Sequence, residues 1–152
     1  MGQPVIDDFL ADRLDDVDKG KTDLELVIVA DGMFITGTAI TLADFVGWGV
    51  EDREATEETL TKLRNSSKDR AQRRERLFDE FCADLGPNDP LPDDQKRQLD
   101  NLAPAYLHLK DVALFVGGKR VNIPMLRIRL AAITSWMPGG IREDELDASG
   151  AQ

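Results

Sequence analysis

The sequence has one cysteine and one histidine among its 152 residues, so it lacks the side chains from which several kinds of site are built. One cysteine cannot form an internal disulfide, and one cysteine with one histidine cannot supply the ligands of a zinc site. Calcium loops, glycine-rich phosphate loops and the nucleophile elbow of hydrolases are also missing. We therefore expect no metal, no cofactor and no catalytic residue.

Long apolar runs are missing as well. No stretch approaches the ~18 residues that a membrane-spanning helix requires. The N-terminus has neither the basic start nor the continuous apolar segment of a signal peptide, since it reads MGQPVIDDFLADRLDD. These features predict a cytoplasmic protein without a membrane partner.

Basic residues are in the minority, with 19 Lys and Arg against 29 Asp and Glu and a net charge of −10. Such a balance disfavours binding to phosphate backbones, so nucleic acid is an unfavourable partner. Residues 105–138 are the exception, because they contain five basic residues and one acidic residue. A basic segment between acidic ones favours self-association, although ordinary solvated surface charge gives the same pattern.

An N-terminal helix is the first element that the sequence predicts. Residues 4–19 place apolar side chains three and four positions apart, and the opposite face is acidic. We expect the apolar stripe to cover a sheet or the end of a barrel. The stripe consists of Ile6, Phe9, Leu10, Leu14 and Val17.

A β-hairpin follows the helix. Two β-branched segments, 23–30 and 33–42, flank an Asp31-Gly32 dipeptide, which a tight hairpin turn prefers because it tolerates positive φ. Gly37, in the middle of the second strand, indicates a sharp bend or a close approach of another backbone.

The next segment changes character and predicts a helical insertion over about residues 50–104. It contains a long charged helix within 51–86, a proline-rich loop at 87–94 and a shorter helix at 95–102. We expect the long helix to pack through its C-terminal end, where its apolar side chains are Leu77, Phe78, Phe81, Cys82 and Leu85.

Strand patterns resume with residues 105–116, a Gly117-Gly118 turn, and one long strand over 119–136. The whole chain, 1–152, is therefore predicted to be a single α+β domain with its strands at about 23–45 and 105–140. A helix, a bent hairpin and a late strand pair in this order resemble the small Sm-like or SH3-like β-barrel. In this fold the helical insertion lies between strands 2 and 3.

Three segments carry a more specific resemblance, to the GvpU family of gas vesicle accessory proteins. They are ADGMFITGTAI, YLHLKDVALFVGG and RIRLAAITSWMPGG. The family's tryptophan position falls on Leu126 and its closing leucine on Pro138, whereas Arg127 and Arg129 keep its two cationic positions. The resemblance implies a non-enzymatic, gas-vesicle-associated protein that acts on vesicle assembly or clustering through contacts with shell or other gas vesicle proteins.

Four residues are candidates for binding a partner: Arg127, Arg129, His108 and Trp136. The two arginines either pair with carboxylates of the insertion or form a strip that binds a partner's carboxylates. The histidine lies either on a solvated strand surface or in a polar interface contact. The tryptophan belongs either to the core or to an exposed anchor.

Two other functions stay open at this stage. One is an Sm-like oligomeric scaffold or RNA-binding module unrelated to gas vesicles, although the insertion occupies the place of a loop that Sm-like proteins use to bind RNA. The other is a small hydrolase with a Cys82–His108 pair, but an apolar helix stripe is typical of a buried, inert thiol.

Overall fold

A computed structural model describes residues 7–21, 23–48 and 57–139. Within these ranges the chain forms four α-helices, five β-strands and one 3₁₀ turn. The elements in chain order are α1 (Asp8–Asp18), β1 (Leu24–Ala30), β2 (Met33–Ile40), α2 (Leu42–Trp48), α3 (Glu57–Cys82), α4 (Asp93–Leu102), β3 (Tyr106–Val116), β4 (Lys119–Arg129), the 3₁₀ turn (Leu130–Ala132) and β5 (Ile133–Pro138). Ile6 of the predicted helix stripe lies outside the described residues.

The strands form one antiparallel sheet in the order β4-β3-β2-β1-β5. The two hairpins predicted from distant parts of the sequence therefore share a sheet. β2 joins them to each other by pairing with β3, where Ile40 lies opposite His108. The α+β class, the N-terminal helix and the helical insertion between strands 2 and 3 are confirmed.

The sheet is strongly bent, because the connection between its two edges is too short to span a flat sheet. β4 and β5 are the edge strands, yet only Leu130–Ala132 separate them along the chain. In a flat sheet, four spacings of about 4.8 Å would separate the edges by about 19 Å. Four residue steps reach only about 14 Å even when fully extended. The end of β4 must therefore curl towards the start of β5, although no ladder joins these two strands within the described ranges.

The core forms between α1 and one face of the sheet. α1 contributes its buried apolar stripe of Leu10, Leu14 and Val17. The strands contribute side chains such as Ile28 and Leu109, neither of which has any exposed area. Burial of side chains of this size stabilises the fold by about 1.5–3 kcal/mol each. The prediction is wrong for one member of the stripe, because Phe9 is 78% exposed.

Both local features predicted for the first hairpin are confirmed. Asp31 and Gly32 adopt φ values of 52° and 75°, as a turn with left-handed residues requires. Gly37 lies at a register shift between β2 and β3. A Cβ atom at Gly37 would lie 3.2 Å from both Leu109 Cβ and the Lys110 carbonyl oxygen. Neighbouring atoms therefore leave little room for any side chain there.

The insertion differs from the sequence prediction in two ways. Its described residues form three helices, because α2 begins at Leu42, before the predicted boundary near residue 50. The long helix is also most deeply buried at its middle and not along its C-terminal stripe. Ala71 and Arg74 are buried, whereas Phe78 is 43% exposed and Leu77, Phe81 and Cys82 are only half-buried. The cause is electrostatic, because the acidic face of α1 attracts the arginines in the middle of α3.

The prediction of a single strand over residues 119–136 is also wrong, because the range contains β4, a 3₁₀ turn and part of β5. The chain leaves β4 at Leu130, which is buried and whose backbone N–H donates a hydrogen bond to the Ala105 carbonyl at 2.9 Å. The 3₁₀ turn that begins at Leu130 then ends the pairing with β3. After the turn, β5 pairs with β1 on the opposite edge.

Candidate functional site

A cavity of about 440 Å³ lies where α1, α3 and the first residues of β3 meet. Its size falls in the range of about 300–1,000 Å³ that is usual for pockets enclosing small organic ligands. Two of the four sequence candidates, His108 and Arg127, line it. The full lining consists of Leu14, Val17, Asp18, Ile40, Leu42, Ser66, Ser67, Arg70, Ala103, Pro104, Ala105, Tyr106, Leu107, His108 and Arg127.

His108 is buried, so the interpretation of this residue as part of a solvated strand surface is wrong. Its side chain is 7% exposed, although it lies on β3 between Leu107 and Leu109 as the sequence indicates. The unpredicted helix α2 is responsible, because the Phe45 ring packs against the imidazole with ring centres 4.8 Å apart. The side chain opposite His108 on β4 is Arg127.

The surroundings of His108 keep its imidazole neutral. Burial, and secondarily the positive charge of Arg127, lower the pKa of His108 from 6.5 to about 4. Its Nε2 atom is inaccessible to water and has no hydrogen-bond partner in the part of the chain that the structure describes. A buried polar atom of this kind is uncommon, since most find a partner in the protein or in ordered water.

Arg127 lies at the rim of the cavity with its guanidinium against an aromatic ring. Its Cζ is 3.7 Å from the centre of the Tyr106 ring, which is a cation–π contact. No carboxylate of the described residues lies within 4.0 Å of Arg127 or of the exposed Arg129. The predicted pairing of these arginines with the insertion is therefore not observed in the described part.

A different arginine pairs with the carboxylates beside the cavity. Arg70 on α3 donates to Asp15 Oδ1 at 2.9 Å, to Asp18 Oδ2 at 2.6 Å and to the Leu102 carbonyl at 2.6 Å. It thereby ties α3 to α1 and to the end of α4. The two aspartates balance its charge. Arg70 therefore lines the cavity but does not offer an unpaired positive charge to a ligand.

The two aspartates are themselves affected by burial. Removal from water raises the pKa of Asp15 and of Asp18 above 3.8, and this effect outweighs the opposite effect of Arg70. This network between α1 and α3 was not predicted from the sequence. The spacing of four between Arg70 and Arg74 on α3 was the available signal, because it matches the three- and four-residue spacing of Asp8, Asp12 and Asp15 on α1.

Serine, histidine and aspartate side chains all line the cavity, but they do not form a hydrolytic triad. Asp18 is bound by Arg70, and His108 Nε2 has no hydrogen-bond partner among the described residues. Triad chemistry requires a base that is hydrogen-bonded to its nucleophile and oriented by a carboxylate. The arrangement instead offers one cation and several neutral polar groups against an apolar wall.

The remaining candidates lie outside the cavity. Trp136 on β5 is opposite Ile28 and packs half-buried against the core. Arg129 lies opposite Tyr106 at the end of β4. Cys82, the cysteine considered as a nucleophile, is a half-buried free thiol at the C-terminal end of α3 and is not part of the lining.

The described ranges contain no group of three or more His, Cys, Asp or Glu residues that could hold a metal ion. None of their helices is long and apolar enough to cross a bilayer. Comparison with known proteins identifies no relative, since no family model, curated protein or solved structure matches the chain.

Proposed function

We propose that this chain is a non-enzymatic accessory protein of gas vesicles, which acts in the cytoplasm through protein–protein contacts that include self-association. The observation that supports contacts of this kind is the pair of sheet edges, β4 and β5, neither of which pairs on its outer side with any described strand. The likeness of three segments to gas vesicle accessory proteins supports the choice of partner.

The β4 edge is well suited to contact another chain. It is 11 residues long, and an exposed edge of this length presents unpaired N–H and C=O groups that can accept a further strand. Pro124 has no backbone N–H and interrupts the edge near its middle. Strand addition is therefore favoured over residues 125–129, where Arg127 and Arg129 supply charge for acidic partner residues.

Each of the two edge strands carries an exposed apolar side chain. Val121 on β4 is 47% exposed and Met137 on β5 is 55% exposed. These side chains would lose contact with water if an edge were covered by a partner, which is the main favourable term in most protein association. Opposite edges meeting between copies form a head-to-tail contact, and such contacts produce closed rings or open filaments.

The finer form of the fold belongs to the same proposal. We propose that the bent sheet is a small barrel of the Sm-like or SH3-like type with an opening between β4 and β5. The short connection through Leu130–Ala132 supports this because it forces the two edges together at one end. Docking of a neighbouring chain would then cover the edges that the barrel itself leaves open.

Retention on purified gas vesicles at low salt tests the proposal. We expect the wild type to co-sediment with the vesicles and the Arg127→Glu/Arg129→Glu variant to be lost from them. The matched control is Arg73→Glu/Arg76→Glu, which makes the same charge change at two exposed positions of α3. The control should be retained like the wild type.

Failure of the wild type to bind vesicles, or equal loss of both variants, would contradict the proposal. Light scattering against concentration measures self-association in parallel, and Val121→Lys should lower the apparent mass if the β4 edge is used. A steep salt-dependent affinity for single-stranded RNA would instead favour the Sm-like nucleic-acid alternative.

A further inference from the structure

We propose that the cavity beside His108 binds a small organic monocarboxylate with an apolar body. This site shares Arg127 with the proposed docking edge of β4, but neither claim requires the other. Three properties lead to it: the shape and apolar walls of the cavity, the balance of charge around it, and the neutral polar groups of its lining.

The shape of the site favours a compact molecule with an apolar part. The cavity of about 440 Å³ is open to solvent on one side. Its walls include side chains from α1, β2, α2 and β3, among them Leu14, Ile40, Leu42 and Leu107. A ligand that buries apolar surface here gains the ordinary hydrophobic contribution, which is proportional to the area removed from water.

The charges around the cavity determine the sign and size of the ligand charge. Arg70 is already bound by Asp15 and Asp18. Arg127 is the remaining lining cation, and no carboxylate lies within 4.0 Å of it in the described part of the chain. The described lining therefore carries one positive charge, that of Arg127, which no direct ion pair balances. A ligand with a single anionic group would balance this charge.

The geometry at Arg127 favours a carboxylate as that group. Its guanidinium carbon lies over the Tyr106 ring, with Cζ 3.7 Å from the ring centre. A cation–π contact of this kind does not consume the N–H groups in the guanidinium plane. Those N–H groups form a fork that matches the two oxygens of a carboxylate.

Neutral polar groups complete the site. Ser66 and Ser67 line the cavity from α3, and His108 lines it from β3 with its Nε2 atom unpartnered among the described residues. The neutral imidazole adds no second charge, so it suits a monoanion better than a phosphate or dicarboxylate. Its Nε2 atom is already inaccessible to water, so a bound ligand would lie beside the ring without a hydrogen bond to that nitrogen.

Isothermal titration calorimetry with octanoate tests the assignment on tag-free protein. We expect one octanoate per chain and at least tenfold weaker binding of octanamide, which has the same body without the charge. Octylammonium should not bind. Equal affinity for octanoate and octanamide would overturn the proposal, as would the absence of octanoate binding.

Two variants locate the site. Arg127→Gln should weaken octanoate binding at least tenfold, whereas Arg129→Gln should leave it unchanged, because Arg129 lies on the same strand but does not line the cavity. Equal effects of the two variants would show non-specific charge attraction and would contradict the proposal. Circular dichroism melting of each variant confirms that it is folded.

The single histidine of the chain gives an independent readout. All imidazole signals in the NMR spectrum belong to His108, so binding of octanoate should shift them. The Arg127→Gln variant should need a correspondingly higher octanoate concentration to reach the same shift. Imidazole signals that stay unchanged at saturating octanoate would place the ligand elsewhere and refute the site. This measurement does not involve gas vesicles, so its outcome is distinguishable from that of the vesicle-binding experiment.

Discussion

Arg74 and Asp15 form an ion pair between α3 and α1 that is almost completely withdrawn from water. The Nη1 and Oδ2 atoms are 3.0 Å apart, and the two side chains are 4% and 6% exposed. Asp15 uses its other oxygen to accept a hydrogen bond from Arg70. The contact between the two helices is therefore electrostatic at its centre and not only apolar.

Replacing Arg74 with methionine should destabilise the protein strongly. The change keeps an apolar stem but leaves Asp15 buried with one of its two cationic partners removed, and breaking a buried pair costs about 3–5 kcal/mol. Arg70 remains bound to Asp15, so we expect the lower end of that range. Urea denaturation measures the free energy of unfolding.

Lys62→Met is the matched control for this change. Lys62 pairs with Glu58 on the same helix, but both side chains are about three-quarters exposed, at 76% and 77%. Exposed pairs of this kind contribute about 0–1 kcal/mol. A loss after Arg74→Met as small as that after Lys62→Met would show that the α1–α3 network does not stabilise the fold.

The protein should become less stable as the pH falls from about 7 to 4.5, in part because of His108. The unfolded histidine binds a proton near its ordinary pKa of 6.5, whereas the folded residue does so only near 4. The unfolded state therefore holds more protons in this interval, and the difference corresponds to about 2–3 kcal/mol.

Comparison with His108→Gln isolates this contribution. Asp15 and Asp18 have raised pKa values and give the opposite slope at lower pH, but they are present in both proteins. The difference between wild type and variant should therefore change by about 2–3 kcal/mol between pH 7 and 4.5. Parallel stability curves for the two proteins would mean that His108 titrates normally.

Gly37→Ala should destabilise the sheet because its Cβ atom has almost no room. The nearest atoms would be Leu109 Cβ and the Lys110 carbonyl oxygen at 3.2 Å, and Val112 Cγ2 at 3.3 Å. Overpacking of this kind costs about 1–3 kcal/mol. Thermal melting followed by circular dichroism measures the loss.

Gly47→Ala provides the control for that substitution. Gly47 lies in α2, and the nearest atom to its added Cβ would be a Leu60 methyl carbon at 3.5 Å, which is ordinary contact. Alanine is the better helix former by about 1 kcal/mol, so stability should be unchanged or slightly higher. Similar losses at Gly37 and Gly47 would contradict the close approach at β2.

Leu130→Ala should loosen β5 before the rest of the sheet. Leu130 is buried at the turn between the two edge strands, and truncation of a buried leucine costs about 2–5 kcal/mol. Hydrogen exchange should show the largest loss of protection in the β5 amides. The exposed neighbour Ala131 gives a control, Ala131→Ser, that should exchange like the wild type, and uniform loss across all strands would contradict a local role for the turn.

Short-range patterns were sufficient for much of the fold. The Asp31-Gly32 turn, the close approach at Gly37 and the amphipathic stripe of α1 all have local sequence signals. All were predicted correctly within the described residues apart from Phe9. These features need no knowledge of what the chain packs against. The pairing of the two hairpins is different, because it was expected from the resemblance to a small barrel and not from any local pattern.

The errors concern contacts between distant segments. Arg74 has the local signature of a solvated helix residue, and only the approach of α1 makes it buried. The burial of His108 could not be predicted, because α2, which covers it, has a short and weak helical pattern. The cavity could not be predicted either, because its walls come from segments between Leu14 and Arg127.

The placement of β5 beside β1 also has a consequence for folding. The Thr134 hydroxyl donates to the Val29 carbonyl at 3.0 Å across 105 positions of sequence. Pairings of such high contact order form slowly, and on a ribosome they must wait until the later strand has been synthesised. Throughout that delay the β1 edge is bare, which makes the nascent chain most prone to aggregate before its last strand arrives.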